Sequence, residues 1–170
     1  MEKQMKTSFY NPALVATTAL GLGALVLLSV PGSAHDGELH HTAAPVEDIT
    51  FAPGPATLPE GAEFAVLHGN PAEPGPFVMR LKFPAGYEIP PHLHPEDEIV
   101  TVISGGFGMG AGEALDRAEA PILAPGSFVH LPAGMAHFAW TEEETVVQIN
   151  AVGPFGITYV DPADDPRGTN

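Results

Sequence analysis

The stretch Gly86-Tyr-Glu-Ile-Pro-Pro-His92-Leu-His94-Pro-Glu-Asp-Glu98-Ile-Val-Thr-Val-Ile-Ser-Gly105 decides how this chain is read. His92 and His94 are two residues apart, so on an extended strand both imidazoles leave the same face. Pro95-Glu96-Asp97 reads as a turn, after which Glu98 returns alongside them on Ile-Val-Thr-Val-Ile, a β-branched run of the kind found in central strands. A further histidine, His137, follows the tight turn Pro132-Ala133-Gly134. Three imidazoles and one carboxylate are a donor set for a divalent transition metal. Fe, Mn, Ni, Cu and Zn all remain open on that chemistry. Such a set leaves one or two coordination positions for water, dioxygen or substrate, as catalytic rather than structural sites do. The lack of any Cys excludes a thiolate zinc site and disulfides.

Two spaced motifs carry a family resemblance. The first, Gly86-x5-His92-x-His94-x3-Glu98-x6-Gly105, matches the first cupin motif throughout. The second, Gly126-x5-Pro132-x-Gly134-x2-His137-x3-Thr141, matches the second cupin motif except at its last position, where Thr141 stands for Asn. The chain therefore resembles a cupin over about residues 64–160. The resemblance implies a jelly-roll barrel with His92, His94, Glu98 and His137 as ligands of one metal. It also implies a homodimer. Cupins include oxygenases, sugar isomerases and epimerases, decarboxylases and plain binding modules, so fold alone leaves the activity open.

The rest of the chain agrees with an all-β fold. It has 170 residues, 44% hydrophobic and 16% charged, with 19 Gly and 19 Pro. Those breakers punctuate short apolar runs, as in a sandwich or barrel. Strands are expected over 64–68, 77–83, 98–104, 127–131, 136–140, 145–152 and 156–160. Pro90 and Pro91 lack backbone donors and suit an edge entering the metal loop. Gly105-Gly-Phe-Gly-Met-Gly-Ala-Gly-Glu113 has the look of a phosphate loop, yet no Lys follows and no helical pattern opens after it. It reads instead as a continuing strand with close backbone packing. Residues 114–120 read as an exposed connector with a short helical turn.

Residues 1–34 read as an export helix and signal peptide: Lys3 and Lys6, an uncharged run over 13–30, then small residues at Gly32 and Ala34 before His35. The rival is a membrane anchor formed by residues 13–30. The expected destination is the periplasm or the exterior, with membrane contact only through this segment. Residues 35–60 read as a flexible arm bearing His35, His40 and His41, either a loose chelator or a solvated tail. Residues 61–160 form the cupin domain, and 161–170 a polar tail.

Net charge is −15. Cleavage after Ala34 would leave four basic residues, Arg80, Lys82, Arg117 and Arg167. Such a surface repels phosphate backbones, so nucleic acid is not an expected partner.

For the pocket, Val100 and Val102 share a face with Glu98, and Ala139 shares one with His137. Met79, Phe83, Phe107 and Met109 are candidates for its mouth. Gln148 and Asn150 alternate on one face of an apolar strand, either inward toward a substrate or outward to water. Asp97 and Glu96 are either a general base or a solvated turn, and His130 a supporting partner or a satisfied surface residue. Apolar walls with few charges favour a small, largely apolar substrate and dioxygenase-like chemistry. The alternatives are a non-catalytic binder of metal or small ligand, and a sugar isomerase or epimerase.

Overall fold

A computed structural model describes residues 41–118 and 120–168. The expected export helix or anchor, and the arm up to His40, lie outside the described residues. The short alternating runs form antiparallel strands throughout: β1 Ala52–Pro53, β2 Glu63–His68, β3 Gly75–Phe83, β4 Glu88–Leu93, β5 Glu98–Ser104, β6 Phe107–Ala111, β7 Ile122–Leu123, β8 Phe128–Leu131, β9 His137–Thr141, β10 Thr145–Gly153 and β11 Thr158–Tyr159. They make a six-stranded sheet in the order β1-β2-β3-β10-β5-β8 and a five-stranded sheet in the order β11-β4-β9-β6-β7. The expectation of a barrel is corrected in one respect: the two sheets face each other across the core but remain open rather than closing into one cylinder.

Period-two alternation sets what faces inward. On β5, Glu98, Val100 and Val102 are buried, while Ile99 and Ile103 are exposed. On β3, Phe77, Leu81 and Phe83 are buried, and β10 pairs with it along the whole of Gly75–Phe83. Val147 and Ile149 of β10 join the same interior. Phe83 stacks between Tyr87, centroids 4.9 Å apart, and Phe107, 6.1 Å apart. This aromatic layer fills one end of the sandwich.

The glycine-rich run is a strand, as expected, and the reason is steric. A Cβ on Gly108 would fall within the Trp140 ring, and one on Gly110 within the Phe138 ring. Each glycine is the cross-strand partner of the aromatic residue that covers it. No helical turn forms over the described part of 114–120. Instead the connector brings Arg117 over the Trp140 ring, 5.4 Å from its centroid.

Pro90 and Pro91 are not at an edge. β4 pairs with β11 on one side and β9 on the other, and the prolines sit where its register with β9 shifts between Ile89 and His92. A bulge accommodates residues that cannot donate to the ladder. Nor is the whole of 35–60 a loose arm: Ala52 and Pro53 pair with Phe64 and Glu63. The Tyr159 hydroxyl donates to Thr57 O at 2.8 Å, and the Tyr87 hydroxyl donates to Pro59 O. Two phenols thus pin the segment that precedes β2.

Candidate metal centre

His92 and His137 are direct partners across β4 and β9, with ring centroids 4.2 Å apart. His94 lies just past the end of β4, its ring 5.0 Å from His92 and 5.3 Å from His137. Ligand atoms of the three imidazoles all lie within 4.8 Å of one another, and all three residues are buried. Glu98 opens β5 in the facing sheet and is buried too; its Oε2 is 3.4 Å from His94 Nε2 and 3.5 Å from His137 Nε2. The residues expected to converge therefore do so. Glu98 reaches two of the three histidines closely, so the triad is the tighter cluster.

The loops that present them are tied together. Gly134 N donates to His94 O at 2.8 Å, and Ala133 N to Asp97 Oδ1 at 2.8 Å. Gly134 takes φ +73°, which the turn ahead of His137 requires and glycine tolerates. Asp97 is thus a brace between the two motif loops rather than a base. The Ala133 amide, with His130 beside it at 3.1 Å, holds its carboxyl below the usual carboxylate range. His130 is exposed and bonds Asp97, not a histidine of the triad.

Each histidine has its tautomer set by a carbonyl. His92 Nδ1 donates to Pro90 O at 2.7 Å, His94 Nδ1 to Gly156 O at 2.6 Å, and His137 Nδ1 to Met135 O at 2.9 Å. A carbonyl only accepts, so Nδ1 is the donor and the neutral form of each ring has its lone pair on Nε2. Burial, followed by the neighbouring His137, pushes His92 down to about 3. Burial also lowers His94, partly opposed by the Glu98 carboxylate. Neutral imidazoles with lone pairs facing a buried carboxylate repel unless a cation lies among them. The donor set therefore fits a divalent transition metal, held through Nε2 atoms that carbonyls have already oriented.

His92, His94 and Glu98 form the floor of a cavity of about 290 Å³, and His137 lies behind that floor. Its walls include Leu58, Phe64, Met79, Leu81, Ile89, Ile149, Phe155 and Ile157. Phe155 stacks on His94, centroids 4.4 Å apart. Of the expected pocket residues, Met79 lines this cavity. Val100, Met109 and Ala139, with Phe83 and Phe107, line instead a void of about 30 Å³ behind the floor. Val102 is buried in the core and lines neither. Gln148 and Asn150 alternate with the buried Val147 and Ile149, so they lie on the outer face. There Gln148 accepts from Arg80 Nε at 3.4 Å and donates to Asn150 at 3.3 Å. Thr141, at the departed motif position, donates to Pro84 O at 2.7 Å and so locks a turn.

Several wall residues had no signal in the sequence. Leu58 belongs to the presumed arm, and Phe155 and Ile157 to the loop between β10 and β11. The nearest hint was the apolar character of Phe155-Gly-Ile157 beside a strand end.

Comparison with known proteins agrees with this geometry. The family described as the ChrR cupin-like domain matches residues 39–156. A protein named as germin-like protein 9-2 from Oryza sativa subsp. japonica is 27% identical over 118 residues, which is 68% of this chain and only 52% of that one. The chain thus spans about half the length of that relative. The polyketide cyclase RemF from Streptomyces resistomycificus superposes with TM-score 0.60 at 16% identity, covering 75% of this chain and 90% of the cyclase. A protein assigned as an acetylacetone dioxygenase from Methylibium petroleiphilum PM1 superposes with TM-score 0.59 at 19% identity, covering 76% and 88%. At these identities the structural likenesses are of fold. With both motifs in place and most of its length matched by the family, the chain belongs to the cupins, as a ChrR cupin-like domain protein.

Proposed function

We propose that this protein is an exported, metal-dependent cupin enzyme of the dioxygenase-like kind, acting on a small, largely apolar molecule. His92, His94, Glu98 and His137 hold the metal. One observation carries the reading: three imidazoles and a buried carboxylate converge, with His92, His94 and Glu98 at the floor of an apolar cavity. A bound divalent transition metal supplies Lewis acidity and, where it is redox-active, chemistry with dioxygen.

The chain's own residues do the rest. Carbonyls of Pro90, Met135 and Gly156 fix the tautomer of the imidazoles and aim them, and burial keeps His92 and His94 neutral. Leu58, Phe64, Met79 and Phe155 bind the apolar body of the substrate and keep water from the floor. Among the cavity residues outside the ligand set, Thr57 alone bears a polar side-chain group. The walls therefore offer orientation rather than acid–base chemistry. The structural likeness to a protein assigned as an acetylacetone dioxygenase supports a small oxygen-bearing substrate.

Elemental mass spectrometry on the protein from its native compartment is the test, followed by dioxygen uptake with small phenols and diketones. About one Fe, Mn, Ni or Cu per chain, lost in His137→Ala, with uptake on at least one substrate, is the expected result. A folded protein without metal would overturn the metal assignment. A stoichiometric metal with no turnover over a broad panel would replace the enzyme by a metal or small-ligand binder. Amino-terminal sequencing of the same sample tests export: the mature chain should begin at His35.

A further inference from the structure

The cavity also selects ligand charge, an inference that rests on the floor being a metal centre. Every cationic side chain among the described residues is paired with an acidic or amide side chain outside the cavity lining. Arg80 bonds Gln148, and Lys82 pairs with Glu63. Arg117 pairs with Glu88; Arg167 donates to Ile157 O at 3.4 Å at the rim, but its charge is met by Asp165 at 2.6 Å. None of the four lines the cavity. Its volume of about 290 Å³ is close to twice that of an apolar cavity, roughly 150 Å³, that takes up benzene. A substituted ring or short diketone therefore fits.

Charge balance then limits what can be buried there. Three neutral imidazoles and the Glu98 carboxylate leave a divalent ion one positive charge in excess. A ligand that reaches the ion as a neutral or singly negative oxygen donor leaves no uncompensated anion. A further carboxylate, sulfonate or phosphate on the same molecule meets only apolar wall, where an unpaired charge is costly. The surrounding chain is itself strongly acidic, at −15. We propose that the cavity accepts small ketones, diketones and phenols that carry no second anionic group, and rejects their carboxylated analogues.

A matched pair tests this: 4-methylcatechol and 3,4-dihydroxybenzoate present the same diol and differ by a methyl or a carboxylate opposite it. Each is titrated calorimetrically into the full-length protein loaded with Zn²⁺, which binds without turnover. The methyl compound should bind roughly 100-fold more tightly. Ile157→Arg, at the half-buried rim, should narrow that ratio by about tenfold or more while Zn²⁺ stoichiometry stays unchanged. Leu58→Arg should do the same from the opposite side of the sequence if Ile157→Arg fails to fold. Equal affinities, or binding of neither compound, would overturn the selection. Failure of the underlying metal reading is separately visible: Zn²⁺ would not bind at one per chain, or 4-methylcatechol would bind equally with and without it.

Discussion

The two ends of the sandwich interior use the same strands for opposite purposes. On β5, Val100 and Val102 point into the filled end, and Glu98, on the same face, points to the open one. On β9, Ala139 and His137 both lie behind the floor, and His137 alone joins the histidine cluster. On β3, Phe83 is sealed under Tyr87 and Phe107, whereas Met79 borders the cavity. The filled end closes because large aromatic rings meet across it. The open end stays hollow because carbonyls of Pro90, Gly156 and Met135 hold its histidines and the loop residues Leu58, Phe155 and Ile157 complete its strand-borne walls. Large aromatic packing is concentrated at one end and the candidate metal ligands at the other.

Phe83→Ala should have the largest effect. It removes a fully buried ring, and a loss of about 3–5 kcal/mol is expected in chemical denaturation, with metal stoichiometry intact in whatever remains folded. A loss below about 1 kcal/mol would break the division between the ends. His137→Ala is the converse. Metal affinity should fall by at least about 100-fold in a chelator competition, more than the loss of an outer-shell partner usually costs. His137 is fully buried and borders the same void as Phe83 and Ala139, so metal-free stability should also fall, but by less than in Phe83→Ala; a loss as large would show that the histidines carry the core.

Tyr159→Phe sharpens the boundary. It removes the bond to Thr57 O, and about 1 kcal/mol should be lost. Burial pushes the Tyr159 phenol up to about 12 from an ordinary 10.0, and raises Tyr87 as well. Between those values the folded chain keeps a proton that the unfolded chain releases. Stability is therefore whole below pH 10 and declines as pH rises toward 12. The decline should be shallower in Tyr159→Phe; an unchanged alkaline limb would mean the phenol does not hold the segment beside the cavity. Smallest of all, Gln148→Ala with Asn150→Ala should leave metal and ligand binding unchanged and stability within about 0.5 kcal/mol each. A change in ligand affinity would place those residues on the wrong face.

Much of the site was legible because its signals are local. Two-residue spacing put His92 and His94 together, and alternation put Val100 and Val102 with Glu98. The steric need for glycine at Gly108 and Gly110 was visible as a glycine-rich strand, though not the aromatic rings that impose it. Alternation could not assign Gln148 and Asn150 a side, because period two names two faces without saying which is inside. Asp97 is exposed, as one of its two sequence readings had it, but its bracing role was hidden because the Ala133 amide it accepts from is 36 residues away.

From residue order alone came the antiparallel β class, the pairing of His92 with His94 and the two turns, which follow from short-range spacing and backbone preference. The joining of Glu98 and His137 to them as candidate ligands came from the resemblance of the two motifs to those of cupins. Tertiary structure alone decided that Pro90 and Pro91 form a bulge whose carbonyl orients His92, and that the two sheets stay open. It also decided that residues near Leu58 and Ile157 complete the cavity. Register, loop closure and burial are pairings between distant parts of the chain, and they depend on how the whole core packs.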